Sequence, residues 1–178
     1  MGELLFSNKY TLDKKTAYDA IVKRYFCEHR VKVIVEAALL SILAVVLAVS
    51  AFSSDDTMSI LLFLVSIIAL ASVFFSPMSQ AKMSAAVFES GVEFELSLFE
   101  NAVCIQRSEQ KTEMSFDSIS KLLEIDDYIY IFTASRFFPI PKSDFSVEQQ
   151  KKLREVFEEK LQNRYKNKQK TVKTNNKQ

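Results

Sequence analysis

Two nearly uninterrupted apolar runs constrain this chain more than anything else in it. Residues 33–52 read VIVEAALLSILAVVLAVSAF, twenty residues with Glu36 as their single charge. Residues 58–75 read MSILLFLVSIIALASVFF, eighteen residues with no charge. As helices rising about 1.5 Å per residue they measure about 30 and 27 Å, close to the thickness of a bilayer's hydrocarbon core. Each holds twelve residues drawn from Leu, Ile, Val and Phe. At roughly −0.3 to −0.6 kcal/mol apiece, these give about −4 to −7 kcal/mol of insertion tendency. Neither run has a polar face, so an amphipathic helix on a soluble domain is a poor reading. A chain of 178 residues also lacks the mass to cover two helices that are apolar all round. Thirty-two residues, many of them charged, precede the first run, which argues against a cleaved signal peptide.

The polar break between the runs is SSDDT, residues 53–57, with Asp55 and Asp56 side by side and no Lys or Arg. Seven basic residues precede the first run, Lys9, Lys14, Lys15, Lys23, Arg24, Arg30 and Lys32, and sixteen follow the second. Positive flanks stay on the cytoplasmic side. The expected topology is a transmembrane helical hairpin over 33–75, with both termini cytoplasmic and the aspartates at the far-side turn.

Small residues recur on one stripe of the first run: Ala37, Ser41, Ala44, Ala48 and Ala51. That stripe lets another helix approach closely, either within the hairpin or between chains. Ser66, Ala69 and Ser72 form a similar face on the second run. Glu36 sits in the first turn, four residues after Lys32, where an i, i+4 ion pair at the membrane boundary is expected.

The flanks differ in period from the hairpin. ELLFSNKY, residues 3–10, suggests a short strand, and residues 11–30 read as a helix with Thr11 as N-cap. From Val92 the apolar period becomes two: Val92, Phe94, Leu96 and Leu98 alternate with Glu93, Glu95 and Ser97. AVCIQR, KTEMSF, ISKLLEI, YIYIFT and RFFPIP follow, separated by short turns that include Glu100–Asn101 and Asp126–Asp127. Pro139 and Pro141 mark RFFPIP as an edge strand. A helix then begins at Ser146, with Gln149 in capping-box spacing and Val147, Leu153, Val156, Phe157 and Leu161 as its buried stripe. The expectation is one meandering antiparallel sheet over 83–165, capped by that helix.

Chemistry is harder to find. Only Gly2 and Gly91 are glycines, which removes glycine-rich phosphate loops. Cys27 and Cys104 fit neither a disulfide framework nor a zinc pattern, and His29 is the single histidine. No catalytic residue, metal ligand or cofactor is assigned, and no nucleic-acid reader motif is present. Arg107, Lys111 and Arg136 lie at strand ends, with Glu109 and Glu113 beside two of them. From Lys160 onward seven basic residues occur without an acidic one. Residues 166–178 read as a disordered basic tail in which Lys166, Lys168, Lys170 and Lys173 are candidate contacts for anionic lipid or an acidic partner.

This organisation resembles the YcxB-like family of bacterial two-span membrane proteins. The carrying residues are Phe99-Glu100-Asn101, Ile119, the run from Tyr128 to Phe132, and Phe138-Pro139-Ile140-Pro141-Lys142-Ser143-Asp144-Phe145. The resemblance implies a pleckstrin-homology-like C-terminal domain in a bacterial inner-membrane setting, and no active site. The combined expectation is a membrane α plus α+β protein with a cytoplasmic strand and helix (1–32), a transmembrane hairpin (33–52 and 58–75), a cytoplasmic domain (83–165) and a tail. Its expected role is that of a membrane-anchored binding or regulatory module acting on another membrane protein, itself or the bilayer. An oligomeric transport or channel component, using Glu36 and the small-residue stripe, is the alternative.

Overall fold

A computed structural model describes residues 2–54, 57–125 and 127–168, which fall into two compact units. One unit joins residues 1–17 to 88–178, and the other is the intervening segment 18–87. The aspartate pair at 55–56 lies outside the described residues.

The first unit begins with β1 (Leu4–Leu12). After it and the intervening helices come β2 (Val92–Phe99), β3 (Ala102–Arg107) and β4 (Gln110–Ser115), and these four strands form one antiparallel sheet in the order β1-β2-β3-β4. A second sheet has the order β7-β6-β5-β8, from β5 (Lys121–Glu124), β6 (Tyr128–Phe132), β7 (Phe137–Pro141) and β8 (Tyr165–Asn167). The single meander expected from sequence is therefore two sheets. The reason lies between Phe116 and Ser118, where a turn of 3-10 helix interrupts the extended chain. β5 consequently pairs with β6 on one side and with β8, in parallel, on the other.

The two-residue period predicts the core correctly. Leu96 and Leu98 of β2, Val103 and Ile105 of β3, and Met114 of β4 point inward from the first sheet. Leu122, Ile129, Ile131 and Ile140 do so from the second. The helix following β7, α4, spans Val147–Leu161 and closes this core with Leu153, Phe157 and Leu161. Its expected capping box is present: the Gln149 N–H donates to Ser146 Oγ at 3.2 Å and the Ser146 N–H donates to Gln149 Oε1 at 2.9 Å. Val147, expected on the buried stripe, is 83% exposed, since at the first helical position it falls outside the covered arc.

β1 is an integral strand of this unit. It runs antiparallel to β2 from Leu4↔Phe99 to Leu12↔Val92. Its outer edge is covered too, because Asn8 Nδ2 donates to the Asp144 carbonyl at 2.6 Å and the Thr11 N–H donates to Asp144 Oδ2 at 3.2 Å. The segment joining β1 to β2, which a simple hairpin fills with a few residues, here contains all of residues 13–91. Both ends of that insertion leave the sheet together, at Leu12↔Val92, and Lys14 Nζ lies 2.7 Å from Glu89 Oε1 across them. Gly91 makes the return possible: its φ of 72° is left-handed, a conformation that costs an L side chain about 1–2 kcal/mol.

The inserted segment is helical. α1 (Lys14–Glu28) is followed after one residue, His29, by α2 (Arg30–Ser54), and α3 spans Thr57–Ala85. Thr11 does not cap α1, because it is paired within β1. Asp13 caps instead, accepting the Thr16 N–H at 2.7 Å, and hydrogen bonding to the Thr16 side chain, then to its backbone, holds the Asp13 carboxyl below the usual range. α2 and α3 are both long and apolar enough to cross a membrane, and only 11% and 6% of their apolar stretches are buried. They pack along a narrow seam of Ala44 and Ala51 with half-buried Ala37, Leu40 and Leu47, against Ser66 with half-buried Phe63, Leu70 and Val73. Ser50 and Ser59 meet at 3.2 Å between the two helices. The hydroxyls of Ser41, Ser66 and Ser72 donate to carbonyls three or four residues back, at 2.6–2.7 Å. Such internal pairing is what an environment without water demands of a polar group.

Candidate functional site

Residues from both sheets of the first unit line a groove of about 210 Å³. Tyr10 and Leu12 of β1, Phe94 of β2, Ile105 and Arg107 of β3, and Gln110 and Thr112 of β4 form one side. Arg136 and the Phe137-Phe138-Pro139 stretch of β7 form the other, and Phe88 completes the wall. Strand alternation explains the lining. Tyr10, Phe94 and Ile105 carry on the inward rows of their strands past the point where the core residues have met.

The groove's polar groups are few and underused. Arg107 and Arg136 are exposed at the ends of β3 and β7, and among the described residues neither guanidinium has an ion-pair partner. Lys111, grouped with them on sequence, is instead held 2.8 Å from Glu113, and that hydrogen bond raises its pKa. Tyr10 is 2% exposed, and its ring stacks on Phe94 with centroids 5.3 Å apart. Its hydroxyl has no hydrogen-bond partner among the described residues, and burial alone pushes its pKa up.

A second polar constellation lies in the same unit, against α4. Glu124 at the end of β5 is 2% exposed. Arg154 Nη2 donates to its Oε1 at 2.7 Å, Lys142 Nζ lies 2.8 Å from the same oxygen, and the Tyr165 hydroxyl donates to Oε2. Burial pushes the Glu124 carboxyl up, but the hydrogen bonds from Arg154, Lys142 and Tyr165 outweigh it and bring the pKa to about 2. Lys142 is itself only 7% exposed. Arg154, Lys142 and Tyr165 converge on this one carboxylate, so the cluster fastens β5, the segment after β7, α4 and β8 together. It does not open onto the groove.

The residues named from sequence fall in different places. Lys166 and Lys168 are exposed at and just beyond β8, so the tail's beginning is ordered: the Lys168 N–H donates to the Glu124 carbonyl at 2.8 Å. Lys170 and Lys173 lie outside the described residues. On α2, Ala44 is buried, Ala37 and Ala48 are half-buried and Ser41 is exposed. Glu36 lies 3.7 Å from Lys32, the expected i, i+4 pair. Tyr10 and the Glu124 cluster were not singled out beforehand. A lone carboxylate inside LLEI was the available signal for the cluster, since a charge there must find partners on other elements.

Two β-sheets closed by a C-terminal helix, with a pair of long apolar helices inserted after the first strand, place this chain among α+β proteins with two candidate membrane spans. The family model described as YcxB-like protein matches residues 98–157, roughly a third of the chain, from the end of β2 into α4. The YcxB-like resemblance holds over this stretch, and the aromatic, turn and Pro-Lys residues that carried it all lie within it. No curated protein and no solved structure matches the chain.

Proposed function

We propose that the chain is a membrane-anchored binding module, working at the cytoplasmic face of a bacterial inner membrane and performing no catalysis. The observation that carries this reading is the insertion of the hairpin between two paired strands. A segment whose outward surface is almost wholly apolar, with residues such as Phe52, Ile68 and Phe75 exposed, interrupts a folded unit that has a core of its own. In water such a surface is an aggregation hazard; in a bilayer it is an anchor. Leaving and re-entering the sheet at Leu12↔Val92 suits an even number of crossings. The basic flanks favour placing both ends in the cytoplasm.

The unit itself is pleckstrin-homology-like in this reading. Two sheets of consecutive antiparallel strands around one core, closed by a C-terminal helix, support that assignment, with β8 an addition to it. Its groove is the binding surface. The transport alternative draws less support, because Ala44 packs within its own chain's hairpin and Glu36 is paired with Lys32. Fractionation of expressing bacteria tests the anchor. The chain is expected in the membrane pellet after an alkaline carbonate wash; recovery in the aqueous supernatant would overturn the proposal.

A further inference from the structure

Each sheet of the folded unit has two edges, and three of the four are guarded. The outer side of β1 is taken up by Asp144, which accepts hydrogen bonds from Asn8 and Thr11, and by Lys152 Nζ, which donates to the Leu5 carbonyl at 3.1 Å. β7 carries Pro139 and Pro141, which offer no N–H. β8 is only three residues long. β4, Gln110–Ser115, is the exception: it has six residues and no proline, and all but Thr112 and Met114 are exposed. Among the described residues no other strand pairs with it on the side away from β3. A bare edge of this kind is a template for another strand.

The turn before β4 decides which of its groups face outward. Ser108 and Glu109 form a two-residue hairpin loop, with Ser108 at a φ of 52°, closed by the Arg107↔Gln110 pair. In such a hairpin the closing pair is hydrogen-bonded, and bonded pairs then alternate along the ladder. Gln110, Thr112 and Met114 therefore bond to β3, and the N–H and C=O of Lys111 and Glu113 point away from it. The side chains of the same two residues make the edge self-complementary. They are exposed neighbours on one face, with Lys111 Nζ 2.8 Å from Glu113 Oε1. A second β4 laid antiparallel, with Thr112 opposite Thr112, sets each lysine across from a glutamate of the other chain. Lys111 and Glu113 then also exchange backbone hydrogen bonds between the chains. Other registers of the same parity set Lys111 against Lys111 or Glu113 against Glu113, and like charges directly opposite are destabilising. Charge thus selects one two-fold register.

We propose that the β4 edge pairs with the β4 edge of a second copy of this chain, joining two four-stranded sheets into one across a two-fold axis at Thr112. The contact goes beyond the membrane-anchored reading and does not depend on it.

The test uses the full chain in a neutral detergent, followed by analytical ultracentrifugation over a concentration series. Wild type is expected to form a reversible dimer. Lys111→Glu brings like charges together across the axis, as does Glu113→Lys, and each is expected to raise the dimer dissociation constant about tenfold or more. An equimolar mixture of the two variants is expected to restore dimers. So is the doubly exchanged Lys111→Glu, Glu113→Lys chain, which separates loss of the dimer from loss of the fold. In a chain lacking Cys27 and Cys104, Thr112→Cys is expected to form an interchain disulfide readily, because identical residues face each other only there. Lys111→Cys and Glu113→Cys are expected to form far less. A monomer at every concentration would leave the edge to some other protein's strand and overturn the proposal. So would a dimer unmoved by the single exchanges, which would put the contact on the apolar helices, or a mixture that associates no better than its components.

Discussion

Glu124 illustrates how one side chain governs the stability of the folded unit. It is buried with two cationic partners and a phenol, and Lys142 has no other carboxylate within ion-pair distance among the described residues. Glu124→Gln leaves a buried ammonium without its counter-charge, a change that typically costs about 3–5 kcal/mol. The thermal midpoint of the detergent-solubilised chain is expected to fall, and adding Lys142→Met is expected to recover part of the loss. The pH dependence follows from the sign of the shift. The folded carboxyl titrates near 2, below its unfolded value of 4.5, so the stabilisation is fully present above about pH 4.5 and is lost as pH falls toward 2. The gap in midpoint between wild type and Glu124→Gln is therefore expected to be flat from pH 5 to 8 and to narrow below pH 4. A gap that instead changes between pH 6 and 8 would assign the effect to another group.

At the scale of elements, the strands were legible because alternation such as Val92, Phe94, Leu96, Leu98 has one physical cause, a sheet with a single buried face. The helix at Ser146 was legible for a similar reason, as its cap is local. The division into two sheets was not, since Phe116 reads as the end of a strand when only alternation is consulted. Nor was β8: Tyr-Lys-Asn has no apolar alternation, and its parallel pairing with β5 is set by Arg164 and Tyr165 gripping distant groups. Arg164 Nη1 donates to the carbonyls of Phe116 and Ile119 at 2.9 and 2.8 Å. The groove was half legible, its arginines by position at strand ends and its Tyr10 not at all, because only tertiary pairing brings β1 beside β2. Two predictions belong here. Asp13→Ala removes the cap of α1 and is expected to cost about 1 kcal/mol, read as a lower helix-melting midpoint, whereas Thr11→Ala leaves the cap intact. In the hairpin, Ala44→Leu overpacks the seam at about 1–3 kcal/mol, while exposed Ser41→Leu is tolerated. An intrachain disulfide between Ser50→Cys and Ser59→Cys in a chain lacking Cys27 and Cys104 reports both: its yield is expected to drop with Ala44→Leu and to hold with Ser41→Leu.

For the whole molecule, the consequence of the topology is that the folded unit cannot be completed until the hairpin has been made. β1 is synthesised first, yet its partner β2 begins at Val92, after both apolar helices. In the proposed membrane-anchored arrangement both flanks share one compartment, and the insertion returns the chain to the side it left. The most direct test builds a cysteine pair at Lys9 and Glu95, register partners on β1 and β2, in a chain without Cys27 and Cys104, and places a protease site after Ser54. In right-side-out bacterial vesicles treated with a membrane-permeant oxidant, protease added outside is expected to cut the chain, and the two fragments are expected to stay joined until a reductant is added. Fragments that separate without reduction, or a site that is cut only from the inner side, would contradict the account.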